Sequence, residues 1–225
     1  MVEALRARGV RTIAHVRPES SELAAWRERF DGLGAETDET PWDAAAISAT
    51  LRKSRPDLVF ALLGTTRARA SREGLASPYE AIDYGLTAQL LHGAIATGNA
   101  PRFIYLSAMG ADEGARSAYL AVRGRLEGEL QESGLPYLIA RPAFVTGSDR
   151  DERRPMERVG AVVSDALLAV VARLGGSRLR AQFASLTGEQ LARGLVTLAL
   201  REPKGRSEAD AAALRRAASD GGTTA

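Results

Sequence analysis

The sequence has no cysteine, which excludes disulfides, thiolate metal sites and cysteine nucleophiles. It has two histidines, His15 and His92, too few for a histidine-rich zinc site, and no metal is expected. Lysine is almost missing, with Lys53 and Lys204 the only two among 30 basic residues. Arginine makes up the rest beside abundant alanine, which reads as compositional bias rather than a binding patch. The net charge of +2 offers a nucleic acid little to hold. No apolar run is long enough to span a bilayer: the best stretch, Val159 to Val171, is too short and carries Asp165. Nothing resembles a signal peptide, so the expected location is the cytoplasm.

What is present suits a single α/β domain: 225 residues, 45% hydrophobic and 26% charged. Val2 to Arg8 is helical in character and stops at Gly9. Thr12 to Val16 is a short β-branched strand, and Ser20 and Ser21 can cap a helix to about Phe30. A weak strand is expected near Gly34 to Thr37, then a helix from Trp42 to Ser54. Asp57 to Leu63 is a continuous apolar run, as in a parallel strand buried on both faces. Ser77-Pro78 opens a helix to about Thr97. Further on, strands at Phe103 to Ser107 and Tyr137 to Ala140 flank a helix from Ser117 to Glu132. Helical stretches at Met156 to Leu174 and Gly188 to Leu200 follow. Residues 1–200 are expected to form the domain, and 201–225 a charged, disordered tail. Strands alternating with helices at this rhythm predict an α/β, doubly wound, mostly parallel sheet.

Chemistry concentrates at Ser107, which closes one strand, and at Tyr119 and Arg123 on the next helix. Residues four apart share a helix face, so the phenol and the guanidinium point the same way. A fixed cation lowers a phenol pKa from about 10 toward neutrality, as a general acid/base requires. A serine hydroxyl beside them could hold a carbonyl oxygen. The plain alternative is a half-buried tyrosine and a solvated arginine. Arg17 follows the second strand of a nucleotide-binding unit, where an acidic residue would select NAD. An arginine there favours a 2′-phosphate, hence NADP over NAD.

Four passages carry a family resemblance: Leu62 to Arg67 (LLGTTR), Tyr105 to Asp112 (YLSAMGAD), Tyr119 to Glu127 (YLAVRGRLE) and Arg141 to Gly147 (RPAFVTG). In order and spacing the chain resembles the atypical short-chain dehydrogenase/reductases, in particular their Tat-interacting-protein oxidoreductase branch, which have a Rossmann fold. The resemblance implies an oxidoreductase transferring hydride between NADP(H) and a small carbonyl or alcohol substrate. It implies Ser107 as the substrate-orienting hydroxyl, Tyr119 as proton donor and Arg123 as the adjacent cation. It implies cofactor contacts from Leu63, Gly64, Thr65, Thr66, Tyr119, Arg123, Arg141 and Pro142, with Arg17 at the adenosine end. A small-molecule substrate, no nucleic acid, no membrane span and a monomer or homodimer complete the expectation. The family has lysine where Arg123 stands; arginine keeps the charge but releases its proton less readily. The competing reading is therefore a non-catalytic NADP(H)-binding sensor or scaffold.

Residues 1–18 read as the end of a helix, a glycine turn and a strand, the second half of a nucleotide-binding unit. The preceding apolar strand and glycine-rich loop, where a pyrophosphate would bind, do not occur upstream of Met1. The sheet is thus expected to lack its first, central strand, with the start assigned late or the chain shortened. The stretch as written is expected to bind cofactor poorly or not at all.

Overall fold

The computed structural model describes residues 1–64, 77, 79–143, 145–146 and 186–221. Its centre is a parallel four-stranded sheet of β3 (Leu58–Ala61), β4 (Arg102–Leu106), β5 (Tyr137–Arg141) and β8 (Arg206–Asp210), in the order β3-β4-β5-β8. β4 and β5 are apolar without alternation because both sheet faces are covered. Phe103, Tyr105 and Ile139 turn to one face, where Val59, Leu91, Leu126 and Leu130 join them. Ile104, Leu138 and Ala140 turn to the other, against Leu186, Leu195 and Leu214. Each such side chain withdrawn from water contributes about 1.5–3 kcal/mol before entropy is counted.

The helices covering the first face are α3 (Ala44–Ser54), α4 (Thr87–Ile95) and α5 (Ala118–Glu132); α6 (Gly188–Arg201) and α7 (Ala211–Asp220) cover the second. A short pair, β6 (Val145–Thr146) and β7 (Leu186–Thr187), leads into α6. Thr187 and Gln190 cap α6 reciprocally, each side chain bonding the other's backbone N–H. No described helix is long and apolar enough to cross a membrane.

β1 (Ile13–His15) and β2 (Glu36–Asp38) form a separate parallel pair, and no described strand joins them to the four-stranded sheet. Around them Ala14, Val16, Phe30 and Ala35 make a small core of their own, fed by α2 (Leu23–Gly32). The helix α1 (Val2–Arg6) links the cores, with Val2 packed on the small one and Met1 on the second face of the large sheet. The break lies where the first strand was expected to be missing.

Three expectations need correction. Residues 206–220 are ordered as β8 and α7, because Ala211, Leu214, Ala217 and Ala218 form one apolar stripe buried against the core. Small alanines on one helix face had the composition of a disordered tail but the spacing of a packed helix. The helix expected from Ser77 to Thr97 is interrupted: Tyr79–Leu86 is a π-helix, and regular α-helix begins at Thr87. Neither Ser20 nor Ser21 caps α2. Glu22 occupies that position without a side-chain cap bond, and Ser20 Oγ instead accepts from Glu22 N at 3.3 Å. The stretch 156–174 lies outside the described residues.

Arg102 is buried at the start of β4 with 1% of its surface exposed. Its guanidinium donates to the carbonyls of Leu198 (2.9 Å) and Ala199 (3.1 Å) in the last turn of α6 and to Ser207 Oγ (2.8 Å) in β8. A cation at a helix C-terminus satisfies orphan carbonyls and meets the negative end of the helix dipole.

Candidate active site

The carboxyl end of the sheet gathers the site. Ser107 directly follows β4, its N–H donating to Ala140 O at 2.8 Å. Its side chain is buried, at 3% exposure, and Oγ has no hydrogen-bond partner among the described residues. A buried hydroxyl left without a partner is costly and marks a place for a ligand oxygen. Beyond it the loop through Gly110 (φ 80°) turns back to α5.

On α5, Tyr119, Arg123 and Glu127 fall at i, i+4 and i+8 along one face. Arg123 is the hub. It donates to the carbonyls of Leu106, at the end of β4, and Leu63, just past β3, the latter at 3.3 Å. It forms an ion pair with Asp83 of the π-helix at 2.7 Å, and its guanidinium lies 4.7 Å from the centre of the Tyr119 ring. Neither charged side chain reaches water: 6% of Arg123 and 0% of Asp83 is exposed. The chain approaches so closely here that a Cβ on Gly64 would stand 3.1 Å from Arg123 Nη2 and 3.5 Å from Asp83 Oδ1.

Arg123 thus ties the end of the strand that precedes Ser107 to the Tyr119 ring. The electrostatics differ from expectation. Burial raises the Tyr119 phenol above its ordinary value; Arg123 opposes this, while Asp83 and Tyr79 reinforce it. The cation is present, but its counter-ion offsets it and desolvation of the ring prevails. The Tyr105 phenol, facing Arg123 from β4, is likewise pushed up by burial, and its hydroxyl has no partner.

Arg17 is exposed just past β1. Arg141 is turned to carboxylates, with Nη2 2.5 Å from Glu127 and Nη1 2.7 Å from Glu208. Pro142 is buried, and its carbonyl accepts from Met109 N at 3.1 Å, which pins the loop after Ser107. Leu63 contributes its carbonyl to Arg123, and Gly64 is exposed at the strand end. Thr65 and Thr66 lie outside the described residues.

Asp83 is not among the site residues expected from the sequence. Its signal was an acid in a stretch otherwise fit for burial, but the partner stands 40 residues away. Glu127 was within reach, four residues after Arg123 on the same face. Gly124 was also missed. A Cβ there would come within 2.3 Å of the backbone carbon of Asp112, so the loop carrying Asp112 and Glu113 rests directly on α5 beside the site. Gly124→Ala is expected to displace that loop and to destabilise the fold by about 1–3 kcal/mol, read as a lower urea midpoint.

Comparison with known proteins gives the arrangement a context. A family model described as NAD(P)H-binding matches residues 1–174. The mitochondrial protein fmp52 of Aspergillus niger is 30% identical over 123 residues, 54% of this chain and 49% of that protein. The mitochondrial FMP52 protein of Lodderomyces elongisporus is 29% identical over 146 residues, 64% of this chain and 58% of that one. The chain thus spans about half the length of the curated relatives it matches. These relatives are mitochondrial by name, which corrects the expectation of a cytoplasmic protein. Among solved structures, the UDP-glucose 4-epimerase of Brucella ovis in complex with NAD superposes with a TM-score of 0.61 at 18% identity, covering 92% of this chain and 72% of that one. The Thermus thermophilus UDP-glucose 4-epimerase, also with NAD, gives 0.60 at 18% identity over 97% and 78%. At such identity the likeness is one of fold. None of these proteins bears the name of the Tat-interacting branch.

Proposed function

The chain belongs to the NAD(P)H-binding family, as an atypical short-chain dehydrogenase/reductase, and from that premise we propose that it is an oxidoreductase acting on a small carbonyl or alcohol with NADP(H). One observation carries the proposal: the buried, unpartnered Ser107 hydroxyl, linked through Arg123 to the Tyr119 ring. The residues present fit a nicotinamide nucleotide at its reactive end, where a hydroxyl lacks a partner. At the other end the exposed Arg17 suits a 2′-phosphate, favouring NADP(H) over NAD(H). The Leu63-Gly64 backbone, Tyr119, Arg123 and the Arg141-Pro142 turn would hold the cofactor between them. When bound, it supplies or accepts the hydride.

The chain's own residues do the rest. Ser107 donates a hydrogen bond to the substrate carbonyl oxygen and fixes its direction. Tyr119, held protonated, gives its proton to that oxygen as negative charge develops there. Arg123 steadies the tyrosine ring from beneath. This division of labour makes Ser107→Ala and NADPH binding separable. The variant is expected to keep wild-type NADPH affinity by fluorescence titration and to lose about 10²–10³ in turnover on a panel of small aldehydes and ketones. Wild-type protein that binds neither NADPH nor NADH would sink the proposal.

A second reading has an observation in its favour. Arg123 already has Asp83, two carbonyls and an aromatic ring as partners, where a catalytic lysine would keep donors for the cofactor. A sensor of NADP(H) needs only binding. NADPH affinity without turnover on any carbonyl would select it.

A further inference from the structure

We propose that Asp83 is a positioning residue of this site, which through Arg123 holds the Tyr119 ring and the ends of β3 and β4 in register. The proposal rests on the oxidoreductase reading and adds to it a residue outside the serine–tyrosine–cation set.

The argument begins with cost. Taking a carboxylate and a guanidinium wholly out of water consumes several kcal/mol per ion, and apolar residues of equal size are often as stable or more so. Stability alone is a weak reason to keep such a pair. What the pair gains is geometry. A guanidinium presents donors in a fixed planar fork, so anchoring one edge fixes the others. With Asp83 on Nη2 at 2.7 Å, the rest of the Arg123 fork meets the Leu63 and Leu106 carbonyls and the face of Tyr119. Those contacts join the loop after β3, the strand that delivers Ser107, and the helix that delivers Tyr119.

The π-helix supplies the anchor. Its first residue, Tyr79, packs edge-on against Tyr119 with ring centres 5.4 Å apart, and Asp83 follows it inward. On the neighbouring stripe Glu80 pairs with Arg125, which lies 3.5 Å from the Tyr84 ring, and Tyr84 donates to Glu129 at 2.5 Å. The segment is thus fastened to α5 along two rows. π-helical turns are rare, and they occur mostly at functional sites. Gly64 completes the fit, since a Cβ there would press on Arg123 at 3.1 Å and touch Asp83 at 3.5 Å.

The test reads Tyr119 directly. The groups facing its ring are Arg123 on α5, Asp83 and Tyr79 on the π-helix, and Tyr105 on β4 through Arg123. Tyrosine ionisation is followed by absorbance in the ligand-free protein, the Tyr119 transition being isolated as the difference from Tyr119→Phe in the same background. In Asp83→Asn the transition is expected at lower pH, since Arg123 is then unopposed, and turnover is expected to fall at least about tenfold with the KM for NADPH little changed. An unmoved Tyr119 transition and unchanged kcat, with only a lower melting temperature, would overturn the proposal. Should Asp83→Asn fail to fold, Asp83→Asn combined with Arg123→Gln removes both charges of the described pair. Its Tyr119 transition is expected at higher pH than in the wild type, because the stronger influence, the cation, is removed; an unmoved transition would again overturn the proposal. The absorbance titration needs neither cofactor nor substrate. Failure to bind NADPH would therefore defeat the functional reading without altering this result.

Discussion

Tyr119→Phe is expected to lower carbonyl turnover by about 10²–10⁴-fold while leaving the urea midpoint close to wild type. The side chain is half-buried, and its hydroxyl's described partner, Arg123, keeps Asp83 and two carbonyls, so removing one oxygen disturbs little packing. The ring, which carries the contacts to Arg123 and Tyr79, stays in place. What is lost is the proton. Because burial holds this phenol above its ordinary value, it is fully protonated through the neutral range. Reduction, which consumes the proton, should therefore show no alkaline limb from Tyr119 below the usual phenol pKa of about 10. Oxidation, which needs the phenolate, should keep rising over the same range. Initial rates in both directions across pH check the sign. A reductive rate falling through neutrality in parallel with Tyr119 ionisation would show that the cation prevails over burial after all.

The second large effect is on stability. Arg123→Met is expected to cost about 3–5 kcal/mol, because it breaks the described ion pair of two side chains withdrawn from water. It also deprives the Leu63 and Leu106 carbonyls of a donor. The pH dependence of this variant should run against ordinary acid denaturation. Removing the guanidinium withdraws a charge that favours the carboxylate while its burial remains, so the protonated form suits the variant better than it suits the wild type. The penalty is present above the folded pKa of Asp83 and disappears as pH falls toward the unfolded carboxylate value. Urea midpoints of variant and wild type should therefore converge as the solution is acidified. A constant gap would mean that Asp83 carries no net charge in the variant, or that the loss is one of packing. Arg123→Lys, which keeps the charge but not the fork, should fall between the two.

The parts of the fold that were legible in the sequence are those written locally. Phe103 to Ser107 and Tyr137 to Ala140 announced buried parallel strands because apolar runs need no partner to be recognised. The spacing of Tyr119 and Arg123 put both on one face of α5, and Ser107 closed the preceding strand, so three site residues could be named from a single stretch. The remainder depended on distant chain. Asp83 acquires its meaning from Arg123, 40 residues later, and no local period distinguishes it from a surface acid. The π-helix shares its composition with an α-helix; its form becomes evident only where its side chains dock on α5. The pairing of Arg141 with Glu127 and Glu208 joins a helix and a strand that local spacing could not bring together. The last helix was hidden by alanine. That residue is neutral enough to suit a disordered tail and small enough to let α7 lie against Gly194, where Leu214 O would stand 2.4 Å from an added Cβ.

The arginine at the base of β4 has a consequence for the timing of folding. Its partners in α6 and β8 are 96, 97 and 105 residues further along the chain. During synthesis the central strand is therefore complete long before most of the groups that accept hydrogen bonds from its buried arginine exist; Tyr137 O, 35 residues on, is the earliest of them. Until Ser207 has emerged, a guanidinium sits where the core must close, and burying it alone is prohibitively expensive. The sheet can collapse early around Phe103 and Ile139, but it cannot seal. Folding of this domain is in that sense governed by its most distant contacts, which places it among slow folders exposed to aggregation while the last strand is awaited.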